Sequence, residues 1–181
     1  PEPLASLPAD VDESVRSAIQ GRYDNGLRHD LAWVQQVADD PTATTEFGFP
    51  LLPAESASLF ARNGRSIMVE TLLREYDQGP EFGGLYMDNA LGGVIVVLWT
   101  TDPTAIRTEL GPRLPPCFPI LFREVRWSEA ELRRWQNAIA LQSDWFAEID
   151  ASIQGVGADT IRNDVVIDIS SANAGAEQAI L

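Results

Sequence analysis

The chain repeats one pattern of strand, turn and strand, and this repeat constrains its fold more than any other feature. The first copy is Gly84–Asp88 followed by the valine-rich run Val94–Val97. The second copy, 71 positions later, is Gly155–Asp159 followed by Val165–Ile167. A stretch with the apolar spacing of an amphipathic helix precedes each copy. The chain is therefore expected to contain two units, each a helix followed by a β-hairpin.

The two aspartates at the hairpin corners, Asp88 and Asp159, occupy equivalent positions of the repeat. An Asp at such a corner accepts a hydrogen bond from its own main chain two residues on, so the same residue is expected wherever the same turn is built. Gly92 and Gly93 follow the first corner and permit left-handed backbone. We interpret these four residues as structural turn residues. The alternative is a pair of metal or substrate ligands, but no calcium-binding loop motif accompanies the aspartates.

Helical spacing and capping residues predict the other elements. Two short helices are predicted over residues 10–22 and 30–38, and Pro53 suits the first turn of the longest N-terminal helix. The buried face of that helix is expected to comprise Leu59, Phe60, Ile67, Met68, Leu72 and Tyr76. A helix from Asp102 to Leu110 leads to a strand over 120–127. Ser128 and Glu131 form a capping box that begins a helix predicted to reach Ile149.

These elements predict the α+β fold class. The sheet is expected to be mixed or antiparallel, with two β-hairpins and a central strand, and with helices packed on one face. N-terminal helices precede it. The predicted domain organisation is a leader or tether over 1–9, a helical segment over 10–46, an α+β domain over 47–169 and a tail over 170–181.

The charge of the chain excludes several classes of partner. It has 27 acidic residues and 13 basic ones, which leaves a net charge of -14. Nucleic acids and anionic lipid surfaces repel such a chain, because binding either one requires a basic patch. No apolar run approaches the roughly 20 residues that span a bilayer. The sequence therefore predicts no nucleic-acid partner and no membrane insertion.

The residues needed for common kinds of catalysis are scarce. The single cysteine, Cys117, lies in a proline-rich loop, where we expect it to pack as a small hydrophobe. The single histidine, His29, is expected to be exposed near a helix start, without the serine elbow of a hydrolase. One His and one Cys are too few for a typical zinc site, and no phosphate-binding glycine loop is present. We therefore expect no metal, no cofactor and no enzymatic activity.

Two other functions stay open on the residues alone. Trp99 and Trp135 are candidates for lining a small-molecule or glycan site, although their positions at a strand end and at helical spacing are more typical of a core. A hydrolase that uses two carboxyl groups is the third possibility, because acidic residues are abundant. The pairs Asp39–Asp40, Glu129–Glu131 and Asp164–Asp168 are each explained by a helix end, a cap or a turn.

The order of the motifs resembles the pro-regions of secreted chymotrypsin-like bacterial proteases of the alpha-lytic protease and streptogrisin type. The shared pattern is Gly-x-x-x-Asp, a turn, a valine-rich strand, a helix beginning Ser-x-x-Glu-Leu, and a closing Asp-x-x-x-Asn-x-Val-x-Val. Residues 82–88, 92–97, 127–132 and 156–167 carry it, and the resemblance covers 47–169.

This resemblance implies a function for the chain. In that family the pro-region assists folding of the protease and inhibits it, docking through a sheet edge and a C-terminal tail. No protease domain follows residue 169 in this sequence. The resemblance therefore implies an exported, extracytoplasmic protein-interaction module, whose partner is another protein such as a secreted protease, bound through a sheet edge.

Overall fold

A computed structural model describes residues 7–8, 10–75, 79–149 and 151–171 of the chain. Its helices are α1 (Glu13–Asp24), α2 (Leu31–Ala38), α3 (Pro53–Glu75), α4 (Thr104–Leu110), α5 (Glu129–Ala140) and α6 (Ser143–Glu148). Its strands are β1 (Phe82–Asp88), β2 (Val94–Trp99), β3 (Ile120–Glu124), β4 (Ala151–Asp159) and β5 (Asp164–Ser171). The predicted α+β fold class is confirmed. The predicted leader and tail lie largely outside the described residues, and the first two tail residues belong to β5.

The strands of the described residues form two sheets. One is a mixed sheet with the order β1-β2-β3, and the other is the antiparallel pair β4-β5. The order of the motifs predicts that both hairpins lie in one sheet around a central strand at 120–127. In the structure the second hairpin forms its own sheet, so β3 lies at the edge of its sheet and β2 occupies the centre.

The chain divides into two compact units. The first comprises the described residues up to Leu72 together with Met87–Ile95, and the second comprises Leu73–Tyr86 and the described residues from Val96 onward. The expected division between residues 46 and 47 does not coincide with this one.

The first unit is organised around α1 and α2. The carboxylate of Asp12 accepts a hydrogen bond from the Ser14 amide at the start of α1, and Asp30 accepts one from the Trp33 amide at the start of α2. Such caps satisfy amides that have no partner within the helix. The buried core of this unit consists of Ala18, Ile19, Val34, Phe49, Leu51 and Leu59.

A fully buried arginine fastens α1 to the start of α3. The guanidinium of Arg22 is completely inaccessible and donates hydrogen bonds to the main-chain carbonyls of Arg28 and Pro50, at 2.7 and 2.8 Å. It also donates to both carboxylate oxygens of Glu55, at 3.0 and 2.5 Å. Glu55 in turn accepts a hydrogen bond of 2.9 Å from the amide of Leu52. The buried charge is tolerated because each nitrogen of the guanidinium donates to an acceptor.

The buried face of α3 differs from the predicted one. Phe60, Ile67 and Met68 are exposed, whereas Leu59 is buried as expected. Leu72 is half-buried, and Tyr76 lies outside the described residues. The buried stripe consists of Ser56, Leu59, Arg62, Val69 and Leu73. This stripe includes two polar residues, Ser56 and Arg62. The predicted face was wrong because it was chosen from apolar side chains alone.

In the second unit, β2 supplies the centre of the mixed sheet. Val96 to Trp99 are all nearly inaccessible to solvent, and because alternate residues point to opposite faces, both faces of this strand are covered. Helix α4 connects β2 to β3, and the amide of Val125 donates to the carbonyl of Trp99 at the end of the pair. Since β1 and β2 form a hairpin, the parallel pair of this mixed sheet is β2 and β3, as the crossover rule predicts.

Helices α5 and α6 pack on one face of the β4-β5 hairpin. The predicted capping box is present, because Ser128 Oγ accepts from the Glu131 amide and the Glu131 carboxylate accepts from the Ser128 amide. The single helix predicted up to Ile149 is divided at Leu141 and Gln142 into α5 and α6. The buried core here is Phe146 and Ala151, surrounded by Ile139, Ile149, Ile153, Ile167 and Ile169.

Candidate functional site

The two corner aspartates bind their own turns. Asp88 Oδ1 accepts a hydrogen bond from the Leu91 amide at 3.1 Å, and Asp159 Oδ1 accepts one from the Arg162 amide at 2.9 Å. In both turns the donor lies three residues on. Gly92 and Gly93 both adopt positive φ, at 74° and 82°. Within the described part of the chain, no three His, Cys, Asp or Glu residues lie together as a metal site would require.

The second hairpin contains a further turn residue, the Asn of the closing Asp-x-x-x-Asn pattern. Asn163 has a positive φ of 56°. Its side chain forms two hydrogen bonds with the main chain of Trp127, accepting from the amide at 2.8 Å and donating to the carbonyl at 2.7 Å. This side chain thereby joins the turn between β4 and β5 to the residue that precedes the cap of α5.

The two candidate tryptophans occupy different surroundings. Trp99 is only 6% exposed and contacts the Phe82 ring edge-on, with 6.2 Å between centroids. Trp135 is half-buried and contacts the Trp127 ring at 4.4 Å. The rings of Trp99 and Trp135 thus belong to separate aromatic pairs and do not face one another in a common contact among the described residues.

Several carboxyl groups are held in their ionised form by local hydrogen bonds. The hydroxyl groups of neighbouring Ser or Thr residues, or the guanidinium of Arg28 in the case of Asp30, lower the pKa of four aspartates below its usual range: Asp12, Asp30, Asp40 and Asp102. The Ser128 amide lowers the pKa of Glu131 in the same way. A general acid for glycoside hydrolysis needs a raised pKa, so these groups are unsuited to that role.

The single cysteine and the single histidine also have defined positions. Cys117 is exposed, with a positive φ of 59°, so the expectation that it packs as a small hydrophobe is wrong. His29 is half-buried rather than exposed, with Nδ1 3.0 Å from the Leu27 carbonyl and its ring edge-on to Tyr23.

The outer edge of β3 is the surface with the clearest capacity for binding. Among the described residues, no strand pairs with β3 on the side away from β2. Because the Val125 amide points toward β2, alternate residues of β3 direct their amide and carbonyl groups the same way. The intervening residues, Phe122 and Glu124, therefore direct theirs outward. An edge of this kind can pair with a strand from another chain.

The side chains along β3 combine apolar and charged groups. Leu121 is 48% exposed and offers apolar area to a partner. The guanidinium of Arg107 lies 5.6 Å from the centre of the Phe122 ring, and that of Arg123 lies 5.9 Å from the Tyr86 ring. Arg107 thus lies over a ring of β3 itself, and Arg123 lies over a ring of β1.

Strands β1 and β4 have features that bear on pairing at their edges. A Cβ atom on Gly84 of β1 would lie 2.8 Å from Thr160 Cγ2, so the turn of the second hairpin lies against β1 at that residue. In β4 the register shifts between Ile153 and Gly155, which is a bulge, and the side chain of Gln136 donates to the Val156 carbonyl at 3.1 Å. Bulges and covered edges hinder edge-to-edge pairing. Among the described residues, the outer edges of β3 and β5 have neither a strand partner nor a feature of this kind.

In comparisons with known proteins, no family model matches the chain, and no curated protein or solved structure matches it either. Within the described residues, no helix combines the length and apolar character that a membrane span requires. The sequence analysis had predicted the β3 strand but not its position at an edge. No residue within β3 indicates the edge position, because that position depends on the second hairpin forming a separate sheet.

Proposed function

We propose that this protein is a non-enzymatic interaction module that binds an extended segment of another protein along strand β3. The observation that supports the proposal is the edge position of β3, whose Phe122 and Glu124 direct main-chain donors and acceptors outward beside an exposed Leu121. In this binding mode the main-chain hydrogen bonds supply affinity, and alternate side chains supply selectivity.

The charge of the chain indicates the kind of segment that would bind. A net charge of -14 favours approach of a basic partner and disfavours an acidic one. The exposed Leu121 favours an apolar side chain on the incoming strand, since burial of apolar area contributes roughly 25 cal/mol per Å². The expected ligand is therefore a β-strand or extended loop that carries apolar and basic side chains.

The class of partner follows from the resemblance rather than from the geometry. The motif order shared with protease pro-regions supports an extracytoplasmic location and a secreted protease as the partner. Pro-regions of that type also dock through a sheet edge, which agrees with the surface proposed here. Secreted proteases of the source organism are therefore the partners to test first.

The test uses the full chain and two variants at one position. The protein is titrated with each protease, and both binding and residual proteolytic activity are measured. Glu124→Pro removes the outward amide while leaving the inward hydrogen bonds to β2, because proline is tolerated at a strand edge. Glu124→Ala is the matched control, since it removes the same carboxylate and keeps the amide.

We expect wild type and Glu124→Ala to bind with similar affinity and Glu124→Pro to bind at least about tenfold more weakly, as expected for a lost hydrogen bond and a blocked edge. Equal binding by all three proteins would contradict the use of this edge. If no secreted protease binds or is inhibited, the protease partner must be abandoned.

A further inference from the structure

Two neighbouring arginines on α3 have no acidic partner among the described residues. Arg62 and Arg65 are three positions apart and therefore lie on the same side of the helix. Two acidic side chains in the turns that adjoin Arg62 are engaged with other groups: Asp24 accepts from Gln20, and Asp88 accepts from the Leu91 amide. Acidic residues outnumber basic ones by 27 to 13 in this chain. An adjacent arginine pair without a carboxylate is therefore unexpected.

The guanidinium of Arg62 is fixed in place but only partly used. Arg62 is 9% exposed, and its Nη1 donates to the Asn25 carbonyl at 2.8 Å. Its side-chain stem and Nε lie against the turn between β1 and β2, where a Cβ atom on Gly93 would lie 2.5 Å from Arg62 Cδ and 3.1 Å from Nε. Nε of Arg62 is buried and has no acceptor. The unused edge of the guanidinium, Nε with Nη2, is the fork that matches two oxygens of an anion.

Two more unpaired polar atoms belong to the same region. Nε of Arg65 is buried without an acceptor, as is the case for Arg62. Asn89 donates from Nδ2 to the Asp24 carbonyl at 3.1 Å, which is the carbonyl next to the one that Arg62 binds. Oδ1 of Asn89 is buried and receives no hydrogen bond. The region thus offers cationic donors and one acceptor.

The electrostatics of the pair agree with this arrangement. Burial, and next the charge of Arg65, lower the pKa of Arg62. Both effects disfavour the charged guanidinium, and a bound anion would oppose both. Each buried polar atom without a partner also favours a ligand that supplies one.

We propose that Arg62 and Arg65 bind hydrogen phosphate, with Asn89 Oδ1 accepting a hydrogen bond from its protonated oxygen. Phosphate oxygens suit the free guanidinium edges, and the hydroxyl that hydrogen phosphate retains at neutral pH suits the unpaired amide oxygen. Sulfate carries no such hydroxyl at this pH and would leave Asn89 unpaired. This site shares no residue with the β3 edge and does not depend on the function proposed for it.

The experiment measures phosphate binding to the full chain by calorimetric titration and by thermal unfolding, at constant ionic strength. We expect saturable binding of inorganic phosphate and a matching rise in Tm, because a ligand that binds only the folded state stabilises it. Sulfate should bind more weakly. Arg65→Gln should weaken phosphate binding by roughly ten- to a hundredfold, the range for a lost hydrogen bond to a charged group.

The controls separate a site from a general salt effect. Arg133 is 70% exposed and pairs with Glu129 within α5. The Arg133→Gln protein should therefore bind phosphate with wild-type affinity. Arg62→Gln tests the buried member of the pair. If Arg62→Gln fails to fold, Arg65→Gln still decides the question, because Arg65 is only half-buried and its replacement should be tolerated. The proposal is overturned if sulfate or chloride raises Tm as much as phosphate, or if Arg65→Gln binds phosphate with wild-type affinity.

Discussion

Replacing Glu55 by glutamine is expected to destabilise the protein severely, because it leaves the buried cation of Arg22 without its counter-charge. Arg22 is fully inaccessible, and its two contacts with Glu55, at 3.0 and 2.5 Å, are the only ionic ones in its network of described residues. Removing one partner of a buried ion pair typically costs about 3–5 kcal/mol. A domain has roughly 5–15 kcal/mol of stability in total, so the loss would be large.

The same contact predicts a dependence on pH. Burial by itself raises the pKa of Glu55, but hydrogen bonds from Arg22 and from the Leu52 amide outweigh it, so the net effect is a pKa below the ordinary value of 4.5. A group whose pKa is lowered by folding stabilises the folded state above its unfolded pKa, and that contribution is lost as the pH falls through the folded pKa. The difference between wild type and Glu55→Gln should therefore be full above about pH 4.5 and shrink below it.

The difference in the free energy of unfolding is measured by urea titration, with circular dichroism as the probe. Glu129→Gln is the control, because Glu129 pairs with the exposed Arg133 one helical turn away, a contact for which about 0.3–0.5 kcal/mol is expected. If Glu55→Gln lowers the free energy of unfolding by no more than Glu129→Gln does, the reasoning about Arg22 is refuted. A difference that stays constant from pH 7 to pH 3 would refute the argument about ionisation.

Two further substitutions test local structure in the second unit. Asn163→Ala should lower the free energy of unfolding by about 2–4 kcal/mol, because it removes two hydrogen bonds to the Trp127 main chain and leaves an alanine at positive φ. Asn163→Gly also removes the hydrogen bonds but adopts positive φ without strain, so it should lower the free energy of unfolding by less. Equal losses for the two variants in urea titrations would contradict a contribution from backbone strain. Ser128→Ala should cost about 1 kcal/mol and accelerate amide exchange at the start of α5, whereas unchanged exchange there would argue against the capping box.

The elements that the sequence predicts best are those fixed by neighbours within a few positions. The capping box of Ser128 and Glu131 involves donors and acceptors only three residues apart, so the pattern alone contains the interaction. The face of α3 is different. Which of its sides is buried depends on what packs against it, and the buried side includes Arg62 while Phe60 is exposed.

The candidate sites show the same division. A strand near residue 120 is predicted by its β-branched and aromatic residues, but its edge position depends on sheet order, which involves residues 20 to 50 positions away. The buried Arg22 could not be predicted, because its acceptors on Pro50 and Glu55 are distant in sequence and an arginine is seldom fully buried. Long-range pairing of polar groups therefore marks the limit of what the sequence reveals here.

The two proposed binding surfaces belong to different compact units, and this permits a test of each against the other. The β3 edge lies in the second unit, whereas Arg62 and Arg65 lie in the first. Substitutions at separate sites without shared partners usually act additively. Glu124→Pro should therefore leave phosphate affinity unchanged, and Arg65→Gln should leave protein binding unchanged. If either variant abolishes both activities while the protein remains folded by circular dichroism, the independence of the two surfaces is contradicted.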